Sequence, residues 1–356
     1  MPHDPGTPTA YAVSPDSGEH WTAEGAWEVA PGIHRIPLPL PMDGLKAINV
    51  YTIQTDDGLT LIDGGWHIPL ARDLLDASLR SIGSGFGDIE RFLVTHVHRD
   101  HFTMATVLGR ELGIDVALGV GDKPALDLLN HSDELTENPF HEVLRSAGAD
   151  ALVEKWRRLD ADEGELPDLT QWQLPTTWLD GDHAIAVGAR TIDAVHTPGH
   201  TPGHFVFADR ADELLFAGDH VLPTITPSIG FVVPPAPDPL ADFMASLAKV
   251  RSLPDLRVLP AHGPVAPSSH ARVDALLAHH EERLADSLAA VDAGGSTAYE
   301  VAEQLGWTRH LHAFDTLDWF NQGMAAMETK AHLDLLVSRG ALSLDGVTYR
   351  PDEVMA

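Results

Sequence analysis

The chain has 356 residues, no cysteine and a formal net charge of −30. That length suits one large domain with a smaller one beside it, since single cores stop growing near ~250–300 residues. The missing thiols exclude disulfides, thiolate metal sites and cysteine nucleophiles, and the acidity works against a broad nucleic-acid-binding surface. Apolar residues make up 44% of the chain, enough for an ordinary packed core. No stretch reaches the ~20 apolar residues of a membrane span. The opening MPHDPGTPTAYAVSPDSGEHW has neither a basic n-region nor an apolar h-region, so a soluble cytoplasmic protein is expected. Histidine stands out: there are 21, nearly as many as the 23 lysines and arginines, and histidine is the commonest metal ligand.

Residues 1–25 are rich in Pro, Gly, Ser and Asp and read as a mobile arm. From Trp27 short strands are predicted at IHRIPLPL, INVYTIQT and LTLIDGG, with a hairpin turn at Asp56-Asp57-Gly58 between the last two. RFLVTH, residues 91–96, is a buried-strand run leading into a helix from about Phe102 to Leu112, and VALGV follows as a strand. Residues 121–178 form a helical insertion carrying Trp156, Trp172 and Trp178 among acidic loops. Strands resume at AIAVGARTIDAVH, HFVFADR and ELLFAGDHV. A proline-rich loop, a helix from about Leu240 to Ser252 and the strand LRVLPAHG complete the larger unit, residues 26–265.

Residues 266–356 read as a separate unit. ARVDALLAHHEERLADSLAAV is an amphipathic helix, and a second helix opens on a capping box of Thr297 and Glu300 with Gly306 as its stop. A third helix is predicted from about Phe314 to Ser338, and ALSLDGVTYR is a hairpin on Asp345-Gly346. Three helices closed by a two-stranded wing describe a winged-helix-like module.

The chemistry concentrates in THVHRDH. In an extended segment His96 and His98 point to one side and can grip one cation, while Asp100 and His101, where a helix begins, are offset and can serve a second. Neutral imidazoles and carboxylates suit Zn, Fe or Mn. A second histidine-rich stretch, HTPGHTPGH, holds His196, His200 and His204. Alternation places His196 and His204 in the flanking strands, leaving His200 in the loop between two Pro-Gly pairs.

These motifs resemble the metallo-β-lactamase-fold hydrolase superfamily, whose signature is H-x-H-x-D-H. The similarity spans about residues 26–265 and rests on LIDGG with Asp63, THVHRDH, TPGHT at 197–201, Gly218-Asp219 and the AHG around His262, in that order. It implies an α/β (α+β) fold, an αββα sandwich with metals at one edge between two sheets. It implies that His96, His98 and His200 bind one divalent ion, that Asp100, His101 and His262 bind another, and that Asp219 bridges the two. Zinc is the first choice, with iron or manganese as alternatives. Asp100 and Asp219 would then be catalytic, beside a hydroxide shared by the metals that attacks a carbonyl. Asp63 is expected to orient a ligand histidine from behind or to serve an Asp-Gly-Gly turn. His220 is read as structural or substrate-side. The insertion would lie where this fold places substrate caps, with Trp156 a substrate-side candidate or, equally, a core-packing residue of a helical excursion. His279 and His280 read as solvated helix residues.

A bridging carboxylate argues against true β-lactamases and is similar to the hydroxyacylglutathione hydrolase, lactonase and nuclease branch. None of the four tyrosines, Tyr11, Tyr51, Tyr299 and Tyr349, adjoins a ligand motif in sequence, which weakens glutathione and lactonase specificities. The C-terminal unit resembles the winged-helix tail of a subgroup that includes endoribonucleases and polyketide thioesterases. Its basic residues, Arg272, Arg283, Arg309, Lys330, Arg339 and Arg350, are outnumbered by acids, so it reads as a packing or homodimer element, not a nucleic-acid reader. The expectation is a dinuclear hydrolase of a small acyl substrate, a thioester, ester or lactone. The alternative is a metal-dependent phosphodiesterase or endoribonuclease.

Overall fold

The computed structural model describes residues 20–41, 44–131, 137–162, 169–308 and 311–352. Most of the arm expected at 1–25 lies outside them. Its last residues are packed, not free: Trp21 is buried, and its carbonyl accepts a hydrogen bond from the buried guanidinium of Arg35.

Seven strands form the first sheet in chain order: β1 (Trp27–Ala30), β2 (Ile33–Pro39), β3 (Ala47–Gln54), β4 (Leu59–Ile62), β5 (Ile89–Leu93), β6 (Asp115–Gly119) and β7 (Thr177–Leu179). β1 to β4 pair antiparallel, and the Asp56-Asp57-Gly58 turn is closed by Thr55 N–H donating to Gly58 O at 2.9 Å. From β4 to β7 the pairing is parallel, so each link must cross back over the sheet. Helices α1 (Pro69–Ser81) and α2 (Arg99–Leu112) make two of these crossings. The sequence does not announce α1; it opens on Pro69 without a side-chain cap and has few signals other than its buried Ala71, Leu75 and Leu79. The third crossing is the insertion, α3 (Lys123–Asn130), α4 (Pro139–Ser146) and α5 (Asp150–Asp162). The second sheet holds β8 (His183–Val187), β9 (Arg190–His196), β10 (Phe205–Asp209), β11 (Leu214–Gly218) and β12 (Arg257–Pro260), the last pair parallel through α6 (Pro239–Arg251).

Side-chain alternation sorts these elements into four layers. In β3, Tyr51 and Ile53 face inward, where they meet Phe205, Phe207, Phe216 and Leu259 of the other sheet. Their neighbours Ile48 and Val50 face outward beneath Leu75 and Leu79 of α1 and Phe102 of α2. The far face of the second sheet packs Val206 and Leu215 against Phe243 and Leu247 of α6. Both sheets are therefore covered on both faces, which is why β10 and β11 read as continuous apolar runs. The result is the expected αββα order.

After β12 come α7 (Ser269–Asp292), α8 (Ala298–Ala302), α9 (Trp319–Ser338) and the hairpin β13 (Leu342–Asp345) with β14 (Thr348–Pro351). The Thr297–Glu300 capping box is present. α9 starts at Trp319, later than the sequence suggests, because Asp318 caps it by accepting Asn321 N–H at 2.8 Å. The boundary at residue 265 is one of chain order rather than of packing. Leu276 and Leu284 of α7 and Ala326 and Leu333 of α9 belong to the same continuous core as α6 and the second sheet. Among the described residues no helix is long and apolar enough to cross a membrane.

Two residues of this region correct the sequence reading. His280 is buried, not solvated, with its Nδ1 3.2 Å from Nε2 of His332. Trp156, offered as a substrate-side candidate, is a core side chain: it is 5% exposed, donates from Nε1 to Trp319 O at 2.9 Å and stacks on Phe320 at 5.4 Å. The insertion turns this ring toward α9 because Gly323 leaves room for it there. Trp156→Ala should therefore cost about 3–5 kcal/mol of stability, read as a lower thermal midpoint with KM unchanged. A raised KM at an unchanged midpoint would contradict this placement.

Candidate metal centre

At one edge the two sheets are stitched together by backbone bonds. Phe205 N–H, entering β10, donates to Thr95 O at 2.8 Å, and Asn49 N–H in β3 donates to Ala261 O at 2.7 Å. The chemistry-bearing residues lie along this seam, each just beyond a strand end. Asp63 follows β4 and His96 lies three residues past β5; His98 is the last residue before α2, whose first turn holds Asp100 and His101. His200 lies in the loop between β9 and β10, Asp219 follows β11 and His262 lies two residues past β12. At Gly218 (φ 50°) the chain turns hard before Asp219, and a Cβ there would sit 2.7 Å from Nε2 of His204.

The structure brings all seven expected donors into two adjoining groups. In the first, Nδ1 of His98 lies 2.9 Å from Nε2 of His96 and 3.1 Å from Nε2 of His200. In the second, Oδ2 of Asp100 lies 3.4 Å from Nε2 of His262 and 3.7 Å from Nε2 of His101. Asp219 stands between them. Its Oδ2 is 3.5 Å from Nε2 of His200, while its Oδ1 is 3.4 Å from Nε2 of His262 and 3.7 Å from Nε2 of His101.

The far sides of the rings decide which nitrogen faces inward. Nδ1 of His200 donates to Ser228 O at 2.8 Å, and Nδ1 of His262 donates to Ala47 O at 2.8 Å. Carbonyl oxygens only accept, so these Nδ1 atoms carry the proton and a neutral ring aims its Nε2 lone pair into the site. Nδ1 of His101 lies 2.9 Å from Oδ2 of Asp63 in the same arrangement. Asp63 itself is buried in a left-handed conformation (φ 61°) and accepts Thr95 N–H at 2.7 Å, so it takes the orienting position and the turn position together.

Among the described residues, Nε2 of His101, Nε2 of His262 and Oδ1 of Asp219 are buried and meet no hydrogen-bond partner. Orphaned polar atoms are costly in a folded interior, and a divalent cation is the partner that imidazole and carboxylate donors of this kind accept. The residues present therefore fit the ions. Burial and the neighbouring rings push His96 and His98 down, His98 to about 3, which keeps their lone pairs available. In the second group burial opposes charge on every member. His101 and His262 nonetheless hold the carboxyls of Asp100 and Asp219 below the usual range, while the carboxylates around His101 raise it well above the ordinary histidine value.

Several neighbours of the site are not visible in the sequence. The hydroxyl of Thr95 lies 3.0 and 3.1 Å from the two oxygens of Asp63 and 3.1 Å from Nδ1 of His96. His204, read as a strand residue, sits just before β10, and its Nε2 accepts Asp219 N–H at 3.2 Å while its Nδ1 faces Thr197 Oγ1 at 2.9 Å. Tyr51 is remote from every motif in sequence, yet its hydroxyl donates to Pro260 O at 2.8 Å, two residues from His262. Pairing of β2, β3 and the β12 loop across the seam produces this, and no local pattern announces it. Of its two readings, His220 takes the structural one: it is fully buried and edge-on to Phe243 at 5.0 Å.

Comparison with known proteins gives the family of the fold. The family model of the metallo-beta-lactamase superfamily matches residues 43–262. A "Probable metallo-hydrolase" of Bacillus subtilis (strain 168) is 24% identical over 87% of this chain and 92% of its own length. An "Atrochrysone carboxyl ACP thioesterase" of Aspergillus novofumigatus is 26% identical over 69% of this chain, which spans 58% of that relative. The crystal structure of a metallo-beta-lactamase family protein from Thermus thermophilus superposes with a TM-score of 0.71 at 26% identity, covering 91% of this chain and 100% of that one.

Metal should stabilise the fold in solution. With free metal 100-fold above its Kd, the chelated protein should gain about 2.7 kcal/mol, seen as a raised thermal midpoint. A midpoint indifferent to chelator and metal would sink the assignment. Asp63→Asn should weaken metal binding by about 10–100-fold in the same titration.

Proposed function

The chain belongs to the metallo-beta-lactamase superfamily and is a metal-dependent hydrolase; from that premise we propose that it holds two divalent ions, zinc first among them, and hydrolyses a thioester, ester or lactone. The observation that carries the proposal is Asp219, whose two carboxylate oxygens face one donor group each. A single imidazole nitrogen cannot span two cations, whereas a carboxylate can. His96, His98 and His200 are the ligands on one side, and Asp100, His101 and His262 those on the other. A cation pair held there would acidify a water and draw off negative charge from a carbonyl oxygen.

The protein's own residues do the rest. Asp63, Ser228 and Ala47 fix three ring orientations through their Nδ1 atoms. His204 steadies the backbone of Asp219 from behind. Asp100 and Asp219 are the carboxylates within reach of a proton released at the centre. A small acyl substrate is favoured over nucleic acid because the net charge of −30 repels polyanions, and the thioesterase named among the relatives supports acyl chemistry.

The test is a panel of acyl thioesters, lactones, phosphodiesters and β-lactams, run on metal-loaded protein beside Asp219→Ala. Turnover of a thioester or lactone is expected, and the variant should lose about 100-fold or more, since perturbing an outer partner alone costs about 10–100-fold. Turnover confined to phosphodiesters would replace this reading with the endonuclease one.

A further inference from the structure

One carboxylate outside both donor groups ties together the two segments that carry the histidine-rich one. Asp122 is 1% exposed, closes the turn after β6 and stands at the N-cap of α3. An aspartate in that position ordinarily accepts from the first N–H groups of its own helix, but Asp122 makes no such bond. Its Oδ2 accepts Val97 N–H at 2.9 Å and the Thr201 hydroxyl at 3.1 Å, and its Oδ1 accepts Gly203 N–H at 2.7 Å. Val97 lies between His96 and His98, Thr201 follows His200, and Gly203 precedes His204. Both oxygens are thus committed to the two histidine loops and none to the local helix.

The backbone is shaped for this approach. A Cβ on Gly119 would stand 1.9 Å from Gly203 O, so only glycine lets the turn after β6 press against the 201–203 segment. Among the described residues no cation neutralises the carboxylate, whose burial is opposed only by the bonds from Gly203, Thr201 and Val97. A buried charge supported in this way is expensive to keep. A neutral side chain that both donates and accepts could not satisfy three converging donors, whereas a carboxylate can.

We propose that Asp122 is a positioning residue, which sets the spacing between the His96–His98 loop and the His200 loop so that their three ring nitrogens converge on one cation. The proposal rests on reading those three histidines as ligands. It acts through the loops, with no contact to substrate.

Cobalt(II) titration of metal-free full-length protein, followed by visible absorption beside a thermal melt, tests it. In Asp122→Asn one acceptor oxygen becomes an amide donor facing Val97 or Gly203. Asp209→Asn is the control. Asp209 is equally buried, accepts from Ala211 and Asp212 N–H, pairs with Arg190, and lies at the end of β10 away from the site. Both variants should melt at lower temperature. Only Asp122→Asn should weaken one of the two cobalt steps, by about 10–100-fold, with an altered visible spectrum for that step. Cobalt binding in Asp122→Asn that matches Asp209→Asn would overturn the proposal and leave Asp122 a loop staple. If Asp122→Asn does not fold, Thr201→Val removes one donor while keeping side-chain shape; a several-fold weakening of the same step is expected, and wild-type binding overturns the proposal. Absence of cobalt uptake by the wild type would instead overturn the ligand reading, and this proposal with it.

Discussion

Everything at the seam depends on holding several lone pairs face to face inside a protein. Ring nitrogens of His96, His98 and His200 approach within about hydrogen-bond distance of one another, an arrangement in which neutral donors gain nothing from their neighbours. The frame around it is held by outward bonds: His96 meets Thr95, His200 Ser228, His262 Ala47 and His101 Asp63. Outward bonds set the tautomer, and the tautomer sets which atom looks inward. The scaffold's task is to keep these outward partners in place.

The scaffold does so by burying both sheets on both faces. With Tyr51 and Ile53 locked against Phe205 and Phe216, the strand ends cannot drift apart, and polar groups are used to sew the edge shut. Asn49 donates from its side chain to Pro260 O at 3.0 Å and Gly263 O at 2.9 Å, and Arg35 donates to Asn49 Oδ1 at 2.9 Å. These buried bonds brace the loop of His262 from the first sheet. The same logic applies to His204, which links the loop of His200 to the backbone of Asp219. Charge balance is the second element. Asp63, Asp100 and Asp219 surround His101 and His262 with more negative charge than two histidines offset, an excess that a bound divalent cation would balance.

The insertion and the C-terminal helices extend this frame on the outer side of the second sheet. Phe140 of α4 stacks on Phe231 at 4.4 Å, and Phe231 meets Phe320 of α9 edge-on at 5.8 Å. Segments distant in sequence therefore share one apolar core with the proline-rich loop that supplies Ser228 to His200.

The αββα layering and the parts assigned to His200, Asp219 and His262 follow from the resemblance of the ordered motifs to the superfamily, whereas local pattern alone marks most of the strands, the capped C-terminal helices and the donors of THVHRDH. Those features are short-range or periodic: alternation in β3, the capping box at Thr297, four donors within THVHRDH. The same pattern is silent on α1, whose start has no side-chain cap; it leaves Trp156 and His220 open between packing and the substrate side, and it reads His280 as solvated. A side chain's burial depends on what the rest of the chain packs over it, and for these three that is α9, α6 and the α7–α9 contact. The roles of Tyr51, His204 and Asp122 emerge only in the folded chain, because each works through a partner brought close by sheet pairing or loop packing. A motif can name the atoms that meet a cation, but only the closed fold can show what holds them there.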